Sequence, residues 1–130
     1  KLYFRDTGIL HTLLTIENES QLLSHPKLGA SWEGFCVENA IRSVQRKTGS
    51  FYFYSTHSGS EVDLVWASGG KKYGLEVKFA DTPRITRSLT TSIHDLGLTK
   101  AWIMYPGNET IVLSDIVTAL PVNRVDDILV

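Results

Sequence analysis

The chain has 130 residues, enough for one hydrophobic core, and its 42% hydrophobic and 21% charged residues exclude disorder along the whole length. A formal net charge of −1 argues against a polycation that grips nucleic acid through bulk charge. No stretch approaches the roughly 18 apolar residues needed to span a bilayer, the opening Lys1-Leu2-Tyr3-Phe4-Arg5-Asp6 lacks signal-peptide architecture, and Cys36 is the sole cysteine, so a reducing, cytoplasmic setting is expected.

In chain order, Lys1 opens directly into an apolar run with no initiator methionine, as expected for part of a longer polypeptide with an upstream region. Residues 1–4 read as a short strand or extended segment. Asp6-Thr7-Gly8 is a turn or N-cap signal before Ile9-Leu10 and Leu13-Leu14, which predicts a short helix. Glu19 to His25 predicts another, and Pro26 to Gly29 a break. The longest predicted helix runs from Ser31, its expected cap, to about Lys47, with Thr48-Gly49 ending it. At about 100° per residue, Cys36, Val37, Ala40, Ile41 and Val44 share an apolar face with Glu33 near its centre, while Glu38, Arg42 and Gln45 point away.

Three strands follow. Phe51 to Ser55 is short and aromatic. In Glu61 to Ala67, alternation places Glu61, Asp63 and Val65 on one face and Val62, Leu64 and Trp66 on the other. In Tyr73 to Phe79, Glu76 and Lys78 oppose Leu75, Val77 and Phe79. Ser68-Gly69-Gly70-Lys71 between them is a hairpin signal. Thr82-Pro83 predicts a cap for a helix from about Arg84 to Leu96. Ala101 to Tyr105 and Thr110 to Leu113 predict two more strands, and Asp115 to Leu120 a helical turn stopped by Pro121. The order helix, three strands, helix, strand, strand predicts an α/β fold with a mixed sheet, one domain over residues 1–130.

A symmetric hairpin at Gly69-Gly70 sets Asp63 opposite Glu76 and Glu61 opposite Lys78. Two carboxylates facing each other across a ladder repel, and a divalent cation resolves the conflict. Glu33 adds a third acid if its helix crosses the sheet, because an acid on an apolar face is costly unless paired or metal-bound. Lys78 could orient a water or neutralise a phosphate. Each residue also has a plainer account: Glu33 as an acid favoured by the helix dipole, Glu61 and Lys78 as a cross-strand ion pair worth about 0.2–1 kcal/mol, Asp63 and Glu76 as part of a surface hairpin. Residues 71–87 carry five basic and two acidic groups, and residues 109–130 one basic and four acidic. Lys72, Arg84 and Arg87 in the first stretch are candidate nucleic-acid contacts, or simply solvated surface. His57 lies in a Ser/Gly-rich loop, His11, His25 and His94 have no ligand spacing, and Cys36 reads as a buried thiol.

Asp63 followed by Glu76-Val77-Lys78, with a preceding helix glutamate, resembles the PD-(D/E)xK nuclease superfamily, although Val62 rather than proline precedes Asp63. Lys1-Leu2-Tyr3-Phe4, Asp6-Thr7-Gly8-Ile9-Leu10, Trp32-Glu33-Gly34-Phe35, Gly59-Ser60-Glu61-Val62-Asp63-Leu64-Val65 and Leu75-Glu76-Val77-Lys78 are similar to the C-terminal domain, of unknown function, in a family of prokaryotic AAA+-type ATP-binding proteins. The resemblance covers residues 1 to about 113. It implies a restriction-endonuclease-like core, an upstream P-loop ATPase module, and Glu33, Asp63 and Glu76 holding Mg²⁺ or Mn²⁺ beside a catalytic Lys78. The implied activity is phosphodiester hydrolysis, with DNA favoured over RNA. The competing expectation is a catalytically inactive nuclease-like module that docks protein or nucleic acid for the ATPase.

Overall fold

The computed structural model describes residues 1–44 and 50–128. Three helices open the chain: α1 (Thr7–Leu13), α2 (Glu19–Ser24) and α3 (Leu28–Val44). Strands β1 (Phe51–Ser55), β2 (Glu61–Ser68) and β3 (Lys71–Val77) follow, then α4 (Arg87–Leu96), β4 (Lys100–Tyr105), β5 (Ile111–Val112), β6 (Val117–Pro121) and a 3-10 segment, Val122–Asp127. The strands form one mixed sheet in the order β1-β2-β3-β4-β6-β5, so the fold is mixed α/β as the sequence predicts. No helix among the described residues is long and apolar enough to cross a membrane.

Local signals explain most boundaries. Asp6 caps α1 by accepting hydrogen bonds from the Gly8 and Ile9 amides, and Asn18 caps α2 through Gln21. Gly69 and Gly70, at φ of +57° and +75°, make the tight turn between β2 and β3. The resulting register pairs Leu64 with Leu75, Val65 with Gly74 and Trp66 with Tyr73, the alignment expected of a symmetric hairpin.

Several expectations need correction. Residues 1–4 join no sheet, which removes the strand from the two readings of that segment. The long helix starts at Leu28, not Ser31: Pro26 closes α2, the chain turns straight back into helix, and the Ser31 amide already bonds the Lys27 carbonyl at 2.9 Å. Ser31 is therefore buried inside α3, its hydroxyl 2.6 Å from His11 Nε2. Gln45 and the predicted helix end at Thr48-Gly49 lie outside the described residues. Helix α4 begins at Arg87 because Thr86, rather than Thr82, supplies the capping oxygen, here to the Leu89 amide. The predicted helical turn before Pro121 is instead strand β6, parallel to β4 and buried throughout. A strand covered on both faces reads as a continuous apolar run without alternation, which hides it among short helical segments, and Pro121 is tolerated at its last position.

Helices α3 and α4 cover opposite faces of the sheet. On the α3 side, Cys36, Val37, Ala40 and Val44 pack with Leu64, Trp66, Leu75, Val77, Trp102 and Met104. On the α4 side, Leu89 and Leu98 pack with Val62, Val65, Ile103, Val117 and Ala119. Val62 and Val65 share a side because β2 bulges: Tyr52 pairs with Val65 but Tyr54 with Val62, so Asp63 and Leu64 together face Phe53. The simple alternation expected for Glu61, Asp63 and Val65 is broken at that bulge.

Candidate functional site

The β2–β3 ladder stops at Leu64 and Leu75. Beyond it the strands part, and the Val77 amide donates to Asp63 Oδ2 at 2.8 Å, where a strand carbonyl would otherwise accept. The gap opens a cavity of about 320 Å³ lined by Lys1, Glu33, Glu61, Asp63, Glu76 and Lys78, with Thr86 and Ser88 at the start of α4. The four residues singled out from the sequence, Glu33, Asp63, Glu76 and Lys78, thus meet in one place.

Their arrangement differs from the one expected. Asp63 does not sit squarely across the ladder from Glu76, and Glu61 does not pair with Lys78. Strand alternation puts Glu76 on the face of Gly74, which looks toward Leu98 on the α4 side. Asp63, displaced by the bulge, turns to Glu33 of α3. The close cluster is Glu33, Glu61 and Asp63, each offering an oxygen within 4.8 Å of the other two. Glu76 stands apart and pairs with Lys78, Nζ to Oε1 at 2.6 Å.

Sequence reasoning missed two residues of this site. Lys1 Nζ contacts Glu33 Oε1 at 2.7 Å and Asp63 Oδ1 at 2.8 Å, and also pairs with Glu61. The Tyr3 hydroxyl donates to Glu33 Oε1, and its ring lies over Gly34, where an added Cβ would already stand 3.5 Å from Tyr3 Cδ1. The only sequence signal for either was membership of the Lys1-to-Phe4 opening. Trp32 contributes through its indole, which donates to the Lys78 carbonyl at 3.2 Å while the Lys78 amide donates to Met104. The Lys78 backbone is thereby fixed by both α3 and the sheet.

Burial sets the electrostatics. The Asp63 and Glu76 side chains are 8% and 5% exposed. Burial raises the proton affinity of Asp63 despite its bonds to Lys1 and the Val77 amide, and does the same at Glu76 against the pull of Lys78. Glu33 shifts the other way: burial opposes its charge, but Lys1 and Tyr3 outweigh it and lower its pKa. Burial also opposes the Lys1 charge, yet its bonds to Asp63, Glu33 and Glu61 hold it above the ordinary lysine range. Glu76 Oε2 is buried with no hydrogen-bond partner. An orphan buried carboxylate oxygen is costly, and this one belongs to a residue that lines the acidic cavity.

The other candidate residues lie outside the cavity. Lys72 is at the hairpin end of β3, and its Nζ donates to the Leu96 carbonyl at 3.0 Å, closing the C-terminal end of α4. Arg84 is exposed in the loop before α4, and Arg87 lines a neighbouring cavity with Ser58, Gly59, Ser60, Ser88 and Thr91. Cys36 is a fully buried thiol, as expected, with its pKa raised by burial. Glu38, expected to face away from the core, is half-buried and clamped by Arg5 and Arg42 at 3.2 and 3.1 Å.

The model of a family described as a domain of unknown function, DUF4143, matches residues 28–125, from α3 through the last strand. The chain belongs to the DUF4143 family. The match contains Glu33, Glu61, Asp63, Glu76 and Lys78, whereas Lys1 and Tyr3 precede it. The DUF4143 domain is also similar to uncharacterized proteins of Mycobacterium bovis and Mycobacterium tuberculosis, 41% identical over 125 residues in each case. The alignment covers 96% of this chain but 28% of each relative, so the chain spans little more than a quarter of their length.

Proposed function

We propose that this DUF4143 domain is a divalent-cation-dependent phosphodiesterase of the restriction-endonuclease-like class, acting on nucleic acid with DNA favoured. The observation that carries the reading is the convergence of Glu33, Glu61, Asp63 and Glu76 on one cavity, one of them with an orphan buried oxygen. Carboxylate oxygens are the donors Mg²⁺ and Mn²⁺ prefer, so the residues fit such an ion. Glu33, Glu61 and Asp63 would hold it, so Glu61 takes the ligand place that the sequence reading gave to Glu76, and Glu76 completes the wall. A bound divalent cation supplies Lewis-acid polarisation of a phosphoryl oxygen and an acidified water.

The remaining chemistry falls to the chain. In hydrolysis a water oxygen bonds to phosphorus, the bond to the leaving oxygen breaks, and the water gives up a proton. Glu76 is suited to take that proton: burial raises its affinity for it and Oε2 is free to accept it. Lys78 lines the same cavity and its side chain is about two-fifths exposed, so its ammonium would offset charge growing on a bound phosphate. Arg87, at the start of α4 on the adjoining cavity wall, would meet a backbone phosphate, and Arg84, exposed in the loop before it, could add a second contact. An AAA+-type ATPase module in the same polypeptide would supply nucleotide-driven control, and the greater length of the relatives is compatible with one.

The test is plasmid nicking with Mg²⁺ and with Mn²⁺, comparing wild type with Glu76→Ala and Lys78→Ala. Cleavage by wild type that both substitutions abolish supports the reading, and equal cleavage by all three removes it. A second reading, a non-catalytic docking module, draws on the two lysines that already neutralise part of the cavity, Lys1 and Lys78. Calorimetry that detects no Mg²⁺ or Mn²⁺ binding favours that alternative.

A further inference from the structure

The three carboxylates that approach one another most closely, Glu33, Glu61 and Asp63, are the same three that Lys1 contacts. An ammonium has three protons to donate, and here each has a carboxylate to meet, leaving none for Glu76. The group fills the position of a cation bound by those three acids. Phe53 supports it from behind, with Nζ 4.9 Å from the ring centroid. A second positive ion cannot share that position, since like charges a few ångströms apart in a half-buried cavity repel strongly. Tyr3, two residues on, holds Glu33 by its hydroxyl and covers Gly34, so one short segment both plugs the cluster and fixes one of its acids.

We propose that Lys1 is a tethered counter-cation of the Glu33–Glu61–Asp63 cluster, and that a divalent cation enters by displacing it. The proposal rests on the metal-binding reading above and adds its regulation: whatever draws the Lys1–Tyr3 segment off the cavity opens the site to metal. Unlike the pairing of Lys78 with Glu76, which leaves the three-acid cluster free, the Lys1 contact competes directly for the ligand oxygens.

The experiment is calorimetric titration of Mn²⁺ into metal-free wild type, Lys1→Met and Lys1→Gln at constant ionic strength, with circular dichroism and melting curves confirming that each is folded. Both variants are expected to bind Mn²⁺ about tenfold more tightly than wild type, since each loses a positive charge from the ligand position. Lys1→Gln keeps a polar side chain in place should the methionine disturb the fold. Equal or weaker binding by the folded variants overturns this inference and leaves the metal reading standing. Absence of binding in wild type and both variants overturns the two together.

Discussion

Lys1 Nζ lies 2.8 Å from Asp63 Oδ1, joining the first residue of the chain to the bulge of a central strand. That contact ties three levels of the molecule together. The bulge in β2 turns the Asp63 carboxylate into the gap between β2 and β3, the gap makes a cavity, and the cavity collects charge that only an opposite charge can settle. Four carboxylates and two lysines in one half-closed space make the site electrostatically demanding.

The roles of Glu76 and Lys78 predict how activity divides. Glu76→Gln and Lys78→Met are each expected to lower the rate of Mn²⁺-supported plasmid nicking by about 100-fold or more, the usual loss when a positioned proton acceptor or a charge-stabilising donor is removed. Far-ultraviolet circular dichroism is expected to match wild type at neutral pH, showing that each variant is folded. Retained cleavage in either variant, measured with the protein freed of contaminating nuclease, contradicts that residue's role.

Trp32 is expected to act at one remove. Trp32→Phe keeps an aromatic ring against Phe79, which it meets edge-on at 5.8 Å, but loses the hydrogen bond to the Lys78 carbonyl. As a positioning residue it is predicted to lower kcat by about tenfold with little change in KM, because a small displacement of the lysine weakens an interaction made in the transition state. A change confined to KM, in steady-state assays on a short duplex, speaks against this.

The pH dependence of stability separates the acids. Asp63 and Glu76 bind protons more tightly folded than unfolded, so their contribution to stability is fully present below the ordinary carboxylate range and lost as pH rises through their raised folded values. Glu33, with a lowered pKa, contributes above that range and loses its contribution as pH falls through the lowered value. In metal-free protein Glu76→Gln is therefore expected to raise the melting temperature modestly at about pH 8, with the gain fading toward about pH 4, where an unfolded glutamate begins to protonate. Glu33→Gln is expected to lower it at neutral pH, the deficit shrinking in acid. Scanning fluorimetry across that range checks both signs.

Core packing gives a prediction free of the functional reading. Trp66 is fully buried and stacks with both Tyr73 and Trp102, each centroid 5.8 Å away, while those two rings lie 6.0 Å from each other, so the three form a closed triangle. Trp66→Ala is expected to cost about 3–5 kcal/mol, seen as a lower denaturant midpoint with little change in slope. A cost below about 1 kcal/mol would mean that the α3-side core is not organised around this stack.

Much of this was legible in the residues, and the exceptions have physical causes. The Gly69-Gly70 turn set the β2–β3 register correctly because two left-handed glycines leave little choice of alignment. The apolar face of α3 and its acid at Glu33 followed from helical periodicity. The bulge at Asp63 was hidden, since an extra residue in a strand changes pairing without changing composition, and it shifted the tight cluster from the Asp63–Glu76 pair to Glu33, Glu61 and Asp63. Strand β6 was mistaken for a helical turn because buried parallel strands lack alternation. Lys1 was out of reach: its role depends on a contact 62 residues away that no local pattern encodes.

Whether Lys1 yields its place to a metal is decided by crystals soaked in Mn²⁺ and read by anomalous scattering. A peak ligated by oxygens of Glu33, Glu61 and Asp63 is expected, with the Lys1 ammonium moved away from all three. A saturating soak that yields no peak in the cavity, with Lys1 still bridging those carboxylates, would contradict it.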